Sequence, residues 1–260
     1  MHRLTDSPWL LLVVSLGALW LCAVLGAALR RAQEARGQKA PEDLSLVLTA
    51  ALTLLGLIIG FSFSMSVSRY DQRKNYEEAE ANAIGTEYLR VGLLPPADAT
   101  QSRVLLRSYL EERIRYYHTR DGDLLPQIGE RTTQLQTQLW SIVQNAALAQ
   151  PNALTGLAAA GMNDVLNSQG YTQAAWWNRI PAAAWLLMTL IALLCNLLLG
   201  YAASGETRRG QLLIIMPLLV SIAFFLIADI DSPRGGVILV SPENLLSLSG
   251  QLSPSSAARH

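Results

Sequence analysis

Cysteine, histidine and net charge are all scarce in this sequence, and each shortage removes a class of function. Its 260 residues hold two cysteines and three histidines. Cys22 and Cys195 both fall inside long apolar runs, so neither is placed to ligate a metal or to staple a water-exposed domain. His2 and His260 stand at the two ends. His118 closes a helical stretch, where the ordinary reading is a solvated side chain near the helix dipole. HExxH, CxxC, GxSxG, the P-loop and GxGxxG are all missing. Twenty basic residues balance twenty acidic ones, so no basic footprint for nucleic acid shows. With no catalytic constellation, cofactor cradle or metal set, the chain reads as a non-enzyme.

Uncharged apolar sequence, by contrast, is abundant: 51% of residues are hydrophobic and the mean hydropathy is +0.26. Four runs carry no charge: Trp9–Leu29, Leu44–Ser68, Pro181–Gly205 and Gly210–Ala228. A helix of about 20 residues crosses the ~30 Å hydrocarbon core of a bilayer, so each run is a candidate span. The first is too long for the apolar part of a cleavable signal and lacks a clear small-residue cleavage site. Pro181 suits a helix start. Pro217 lies inside the fourth run, where it is expected to kink the helix.

The second run ends in a strict alternation, Phe61-Ser62-Phe63-Ser64-Met65-Ser66-Val67-Ser68. Period two is a strand signal. In lipid, however, a lone strand leaves its backbone groups unpaired at several kcal/mol each, so the segment is predicted to be helical. At helical spacing Gly56, Gly60, Ser64 and Ser68 fall on one stripe, a small-residue face on which another helix can pack closely. Arg69 marks the exit from the hydrocarbon.

Residues 69–180 form the large polar region, predicted to be a helical bundle. The second span continues outward from Arg69 to about Val91 and is broken by Pro95-Pro96. Asp98 is expected to cap a helix to about Thr119, with Leu106, Leu110, Ile114 and Tyr117 on one face. A third helix spans about 126–149, with Ile128, Leu135, Leu139, Ile142 and Ala146 inward. Asn152 caps a fourth to about Ser168, with Leu154, Leu157, Ala158, Met162, Val165 and Leu166 as its apolar face. Trp176-Trp177 suit a membrane interface. The run Glu77, Glu78, Glu80, Asn82, Glu87 could hold a cation, but its ordinary reading is a solvated face supported by Arg73 and Lys74 at i,i+4. The tail, 231–260, has a strand-like segment at Val237–Val240 and is expected to be disordered beyond Leu248.

Two stretches carry a resemblance. In one, Gly60-Phe61 is followed by Arg69-Tyr70, as Gly-Phe is followed by Arg and an aromatic in the second transmembrane helix of bestrophins. The other, "ADIDSPRGGVILVSPE" (228–243), resembles the ending of a bacterial bestrophin-like family. The order of two spans, a long helical segment and two spans is similar as well. Bestrophins are oligomeric anion channels, pentameric where the fold is known, with large apolar residues four apart on the second helix lining the pore. The resemblance implies Thr53, Leu57 and Phe61 as pore-lining positions, although Thr53 is not a large apolar residue. The acidic calcium-clasp pattern of animal bestrophins is absent.

The expected fold is therefore an all-α integral membrane protein of the bacterial inner membrane. Transmembrane helices 1 and 2 (about 9–29 and 44–68) occupy residues 1–68, a helical bundle 69–180 is inserted between helices 2 and 3, and helices 3 and 4 (about 181–205 and 210–228) fill 181–230. Its expected partners are the lipid bilayer, further copies of itself (a pentamer by resemblance) and small anions, with no cofactor, metal or nucleic acid. Two functions stay open: an anion channel, or a non-channel sensor or assembly protein acting through the bundle. The basic residues Arg30, Arg31, Arg36 and Lys39 in one short loop, and Arg208 and Arg209 in the other, place both loops in the cytoplasm and the bundle outside it. Arg69, Arg73 and Lys74 argue the opposite way, as does the resemblance; the charge rule is given precedence. Asp229 and Asp231 close the fourth span at the negative end of its dipole. They are expected to pair with Arg69 or Arg73, which leave the second span at the same depth.

Overall fold

The computed structural model describes residues 7–38, 41–203 and 209–253, with the side chains of 209–212 excepted. Arg3, Lys39, Arg208, His2 and His260 lie outside the described residues, as does the side chain of Arg209. Among the described residues the regular structure is entirely helical. In chain order the α-helices are α1 (Pro8–Ala35), α2 (Leu44–Arg90), α3 (Pro96–His118), α4 (Leu125–Ala149), α5 (Ala153–Trp177), α6 (Ala182–Ala202), α7 (Arg209–Asp231) and α8 (Glu243–Leu252). A 3₁₀ turn, Val91–Leu93, follows α2. Four of the helical segments are long and apolar enough to cross a membrane, as expected.

The chain divides into two compact units. The first comprises Met1–Arg69 and Arg179–Leu239. It is built from α1, the apolar part of α2, α6 and α7, with Leu19, Leu55, Met188, Cys195, Val220, Phe224 and Ile227 in its core. Trp185 and Phe224 meet edge to face at 6.0 Å. The tightest crossing is between α1 and α6. A Cβ on Gly200 would sit 1.8 Å from the Ala23 carbonyl oxygen, and one on Gly26 would sit 2.0 Å from that of Leu197. Only glycine allows two helix backbones to approach this closely. Beyond the crossing, the Tyr201 hydroxyl donates to Gln33. α7 continues through Pro217 to Asp231.

The second unit comprises Tyr70–Asn178 and Val240–His260. It contains the polar part of α2 together with α3, α4, α5 and α8, and its core includes Ile84, Val91, Leu106, Tyr109, Leu135, Leu139, Val143, Met162, Val165 and Leu245. On α4 it is Val143, rather than Ile142, that is fully buried. On α5, Leu154 and Leu157 face outward while Ala158, Met162 and Val165 face the core.

Several boundaries differ from expectation. α3 starts at Pro96 with Pro95 as its N-cap, and Asp98 lies in the first turn instead of capping it. Proline loses nothing at a position whose N–H has no helical acceptor, and the acid still faces the positive end of the dipole. Asn152 caps α5 through a reciprocal capping box with Thr155, but the helix runs past Ser168 to Trp177 because buried Thr172, Ala175 and Trp176 extend its inward stripe. Val237–Val240 is not a strand. Residues 249–252 are helical instead of disordered: Leu245 is buried, and Leu248 and Leu252 pack on the same core.

Candidate functional site

α2 organises the candidate site, and its two halves expose opposite characters. In the apolar half, Thr53, Leu57 and Phe61 all point away from the rest of the chain. Leu57 is 55% and Phe61 65% exposed, and the Thr53 hydroxyl is turned back onto the Thr49 carbonyl at 2.8 Å. Gly56, Gly60, Ser64 and Ser68 are exposed as well. A Cβ on Gly56 or Gly60 would meet nothing within 4 Å. Among the described residues, then, no helix packs closely on Gly56 or Gly60; the close helix crossing falls at Gly26 and Gly200. Leu55, Ser62 and Ser66 are the buried positions of this stretch, with the Ser66 hydroxyl on the Ser62 carbonyl.

At the end of α7 the two aspartates do different work. Asp231 lies 3.3 Å from Arg69 Nη1 and accepts the backbone N–H of Ile180 on both oxygens, at 3.2 and 3.1 Å. Asp229 binds backbone instead. It accepts the N–H groups of Val237 (2.7 Å) and Ile238 (2.9 Å), clamping the chain as it turns back after α7. The turn brings Gly236 so close that a Cβ there would sit 2.4 Å from the Asp229 carbonyl oxygen. Ser232 completes the loop by accepting the Gly235 N–H. Within "ADIDSPRGGVILVSPE", Asp229 therefore holds Val237 and Ile238, and Ser232 holds Gly235. Backbone donors and Arg69 help to offset the unfavourable position of two carboxylates at a helix C-terminus. Arg73 is buried in the second unit.

The polar half of α2 holds the largest departure from expectation. The acidic run is not a solvated face: Glu78 and Asn82 are exposed, but Glu77, Glu80 and Glu87 are fully buried. No group of the described residues is arranged to hold a metal. Glu80 receives Arg113 from α3 on both oxygens, Tyr117 at 3.3 Å and Thr172 from α5 at 3.0 Å. Burial works against the Arg113 guanidinium charge, but the Glu80 carboxylate more than compensates and holds its pKa above the ordinary arginine value. Burial, reinforced by Glu80, pushes the Tyr117 and Tyr109 hydroxyls up as well. Glu77 accepts the Leu245 N–H at 3.0 Å and the Asn244 amide at 2.6 Å. It thus caps α8, whose own N-cap, Pro242, offers no side chain. Glu87 receives no hydrogen bond on either oxygen from the described residues. The signal was present in the sequence: Arg73, Glu77, Glu80, Ile84, Glu87 and Val91 recur every three or four residues, the spacing of a buried helix face. Charge concealed it.

Four apolar spans and a helical unit built around the buried Glu80–Arg113 ion pair define a polytopic helical membrane protein. The chain belongs to the bestrophin-like family, whose domain matches residues 10–245. Among solved structures it is similar to a bacterial bestrophin homolog from Klebsiella pneumoniae, at 16% identity and a TM-score of 0.65 over 92% of this chain and 98% of that one. A variant of that homolog is similar at 14% identity and a TM-score of 0.68, over 95% of this chain and 99% of the other. The shared fold is the content of these likenesses. None of the curated proteins matches.

Proposed function

We propose that the protein assembles into a ring of copies in the bacterial inner membrane, five by its resemblance to bestrophins. The ring would conduct small anions along a path lined by Thr53, Leu57 and Phe61 of α2. One observation carries this reading. Only 6% of the most apolar window of α2 is buried within the chain, against 50% for α7, and the uncovered surface bears the row implied by the family together with the small-residue stripe. Lipid supplies no hydrophobic drive between helices. A face of Gly56, Gly60, Ser64 and Ser68 is therefore better suited to another copy's helix than to acyl chains. In such a ring the large side chains at 57 and 61 form an apolar constriction, which controls passage by its width and wetting. The charge rule applied to the loop after α1 puts the helical unit outside the cytoplasm.

Currents from purified protein in planar bilayers, with anion and cation gradients imposed separately, test the reading. Anion-selective currents together with the mass of a ring in detergent are expected. A monomer that carries no current in any reconstituted form would overturn it.

A further inference from the structure

Glu87 stands apart from the two other buried acids on its stripe. Glu77 and Glu80 each collect donors, whereas both oxygens of Glu87 are buried and neither accepts a hydrogen bond from any described residue. The side chain lies against α5 where residue 161 is glycine; a Cβ there would come within 2.0 Å of Oε2. Glu87 and Arg90 together fill the space that a side chain at 161 would take. Its burial is complete within one chain, so a neighbouring copy cannot supply the missing donor.

One charged group stands beside it: Arg90 Nη1 would lie 2.8 Å from the same Cβ at residue 161, yet Glu87 accepts no hydrogen bond from it. Arg90, one turn further along α2, pairs instead with Asp164 of α5 at 3.8 Å. The turn Val91–Leu93 contains no ionisable side chain. From α3, Arg103 lies over Gly92, and Arg103 and Arg107 both stack on the ring of Tyr88. A buried carboxylate that accepts no hydrogen bond is more costly than a neutral carboxyl group even with a guanidinium nearby.

We propose that Glu87 is a proton-binding site: it carries a proton when α5 is closed over it, and its ionisation loosens the α2–α5 contact at Gly161, so that the helical unit responds to pH. This does not depend on the channel reading. Burial pushes the Glu87 carboxyl up to about 8; Arg90 opposes the rise and Asp164 adds to it. A carboxyl raised in this way contributes stability that is complete below its unfolded value near 4.5 and lost as pH rises through about 8.

The test is thermal unfolding of the full chain in detergent from about pH 5 to pH 9, for wild type and Glu87→Gln. The wild type is expected to lose about 4 °C or more over this range beyond any loss in the variant, and the variant is expected to be the more stable of the two at the alkaline end. Identical pH profiles would overturn the proposal. Should the variant fail to fold, infrared spectroscopy of the wild type decides. The C=O stretch of a protonated carboxyl is expected at neutral pH and should fade through about pH 8; its absence at neutral pH would overturn the proposal.

Discussion

Arg113 of α3 donates from Nε and Nη2 to the two carboxylate oxygens of Glu80 on α2, and neither side chain reaches solvent. Removing one member strands the other charge, at a cost of about 3–5 kcal/mol. Glu80→Ala and Arg113→Ala are each expected to lower the thermal unfolding temperature sharply. Replacing both with methionine should recover much of the loss, because the unpaired charge disappears with its partner. A double variant as unstable as either single one would show that Tyr117 and Thr172, which also bind Glu80, dominate.

Gly200 and Gly60 make a matched pair of tests. A side chain at Gly200 must displace the backbone of α1, so Gly200→Leu should destabilise the folded chain itself. At Gly60 the space is open, so Gly60→Leu should leave the single chain folded. Its effect is expected on oligomeric mass in detergent, read by light scattering. Unchanged mass would return the stripe to lipid.

Arg69 and Asp231 should couple. A double-mutant cycle on Arg69→Ala and Asp231→Ala, read as thermal stability, is expected to give about 0.5–3 kcal/mol of interaction. The same cycle with Asp229→Ala should come out close to additive, since Asp229 binds backbone N–H groups. Equal coupling in both cycles would mean that the loop acts as one piece.

If α2 lines a pore, Leu57→Ala with Phe61→Ala should widen its constriction and raise conductance or relax selectivity. Wild-type currents in the double variant would remove these two positions from the path.

The membrane half of the fold was legible because an uncharged run of about 20 residues has few alternatives. The pairing of Arg69 with an aspartate could be read from depth alone, since the second and fourth spans end on the same side. Which aspartate could not, because the choice depends on the turn at Gly235-Gly236 and the N–H groups it aims at Asp229. In the second unit, helix periodicity found α3, α4 and α5 with most of their inward faces, but it turned the polar half of α2 outward and did not find α8. Glu77, Glu80 and Glu87 occupy core positions, and a rule that sends charge to solvent turns that helix outward. Only long-range partners correct it: Arg113 lies 33 residues from Glu80, and Leu245 lies 168 from Glu77. The crossing of α1 and α6 was missed for a related reason. Gly26 and Gly200 are single glycines without an i,i+4 glycine repeat, whereas Gly56 and Gly60 carry that repeat.

The cap that Glu77 places on α8 has a consequence in time. Translation releases Glu77 long before Asn244, 167 residues later. At roughly 5–20 residues per second the interval is about ten to thirty seconds. A ten-residue helix has little stability of its own, so α8 cannot form first and wait. During synthesis the growing chain must carry a carboxylate in a half-made core with these donors still missing, and the arrival of the last helix completes it. Premature termination ahead of Glu243 would therefore leave its fault in the centre of the helical unit, where a protease that samples loosened structure can find it.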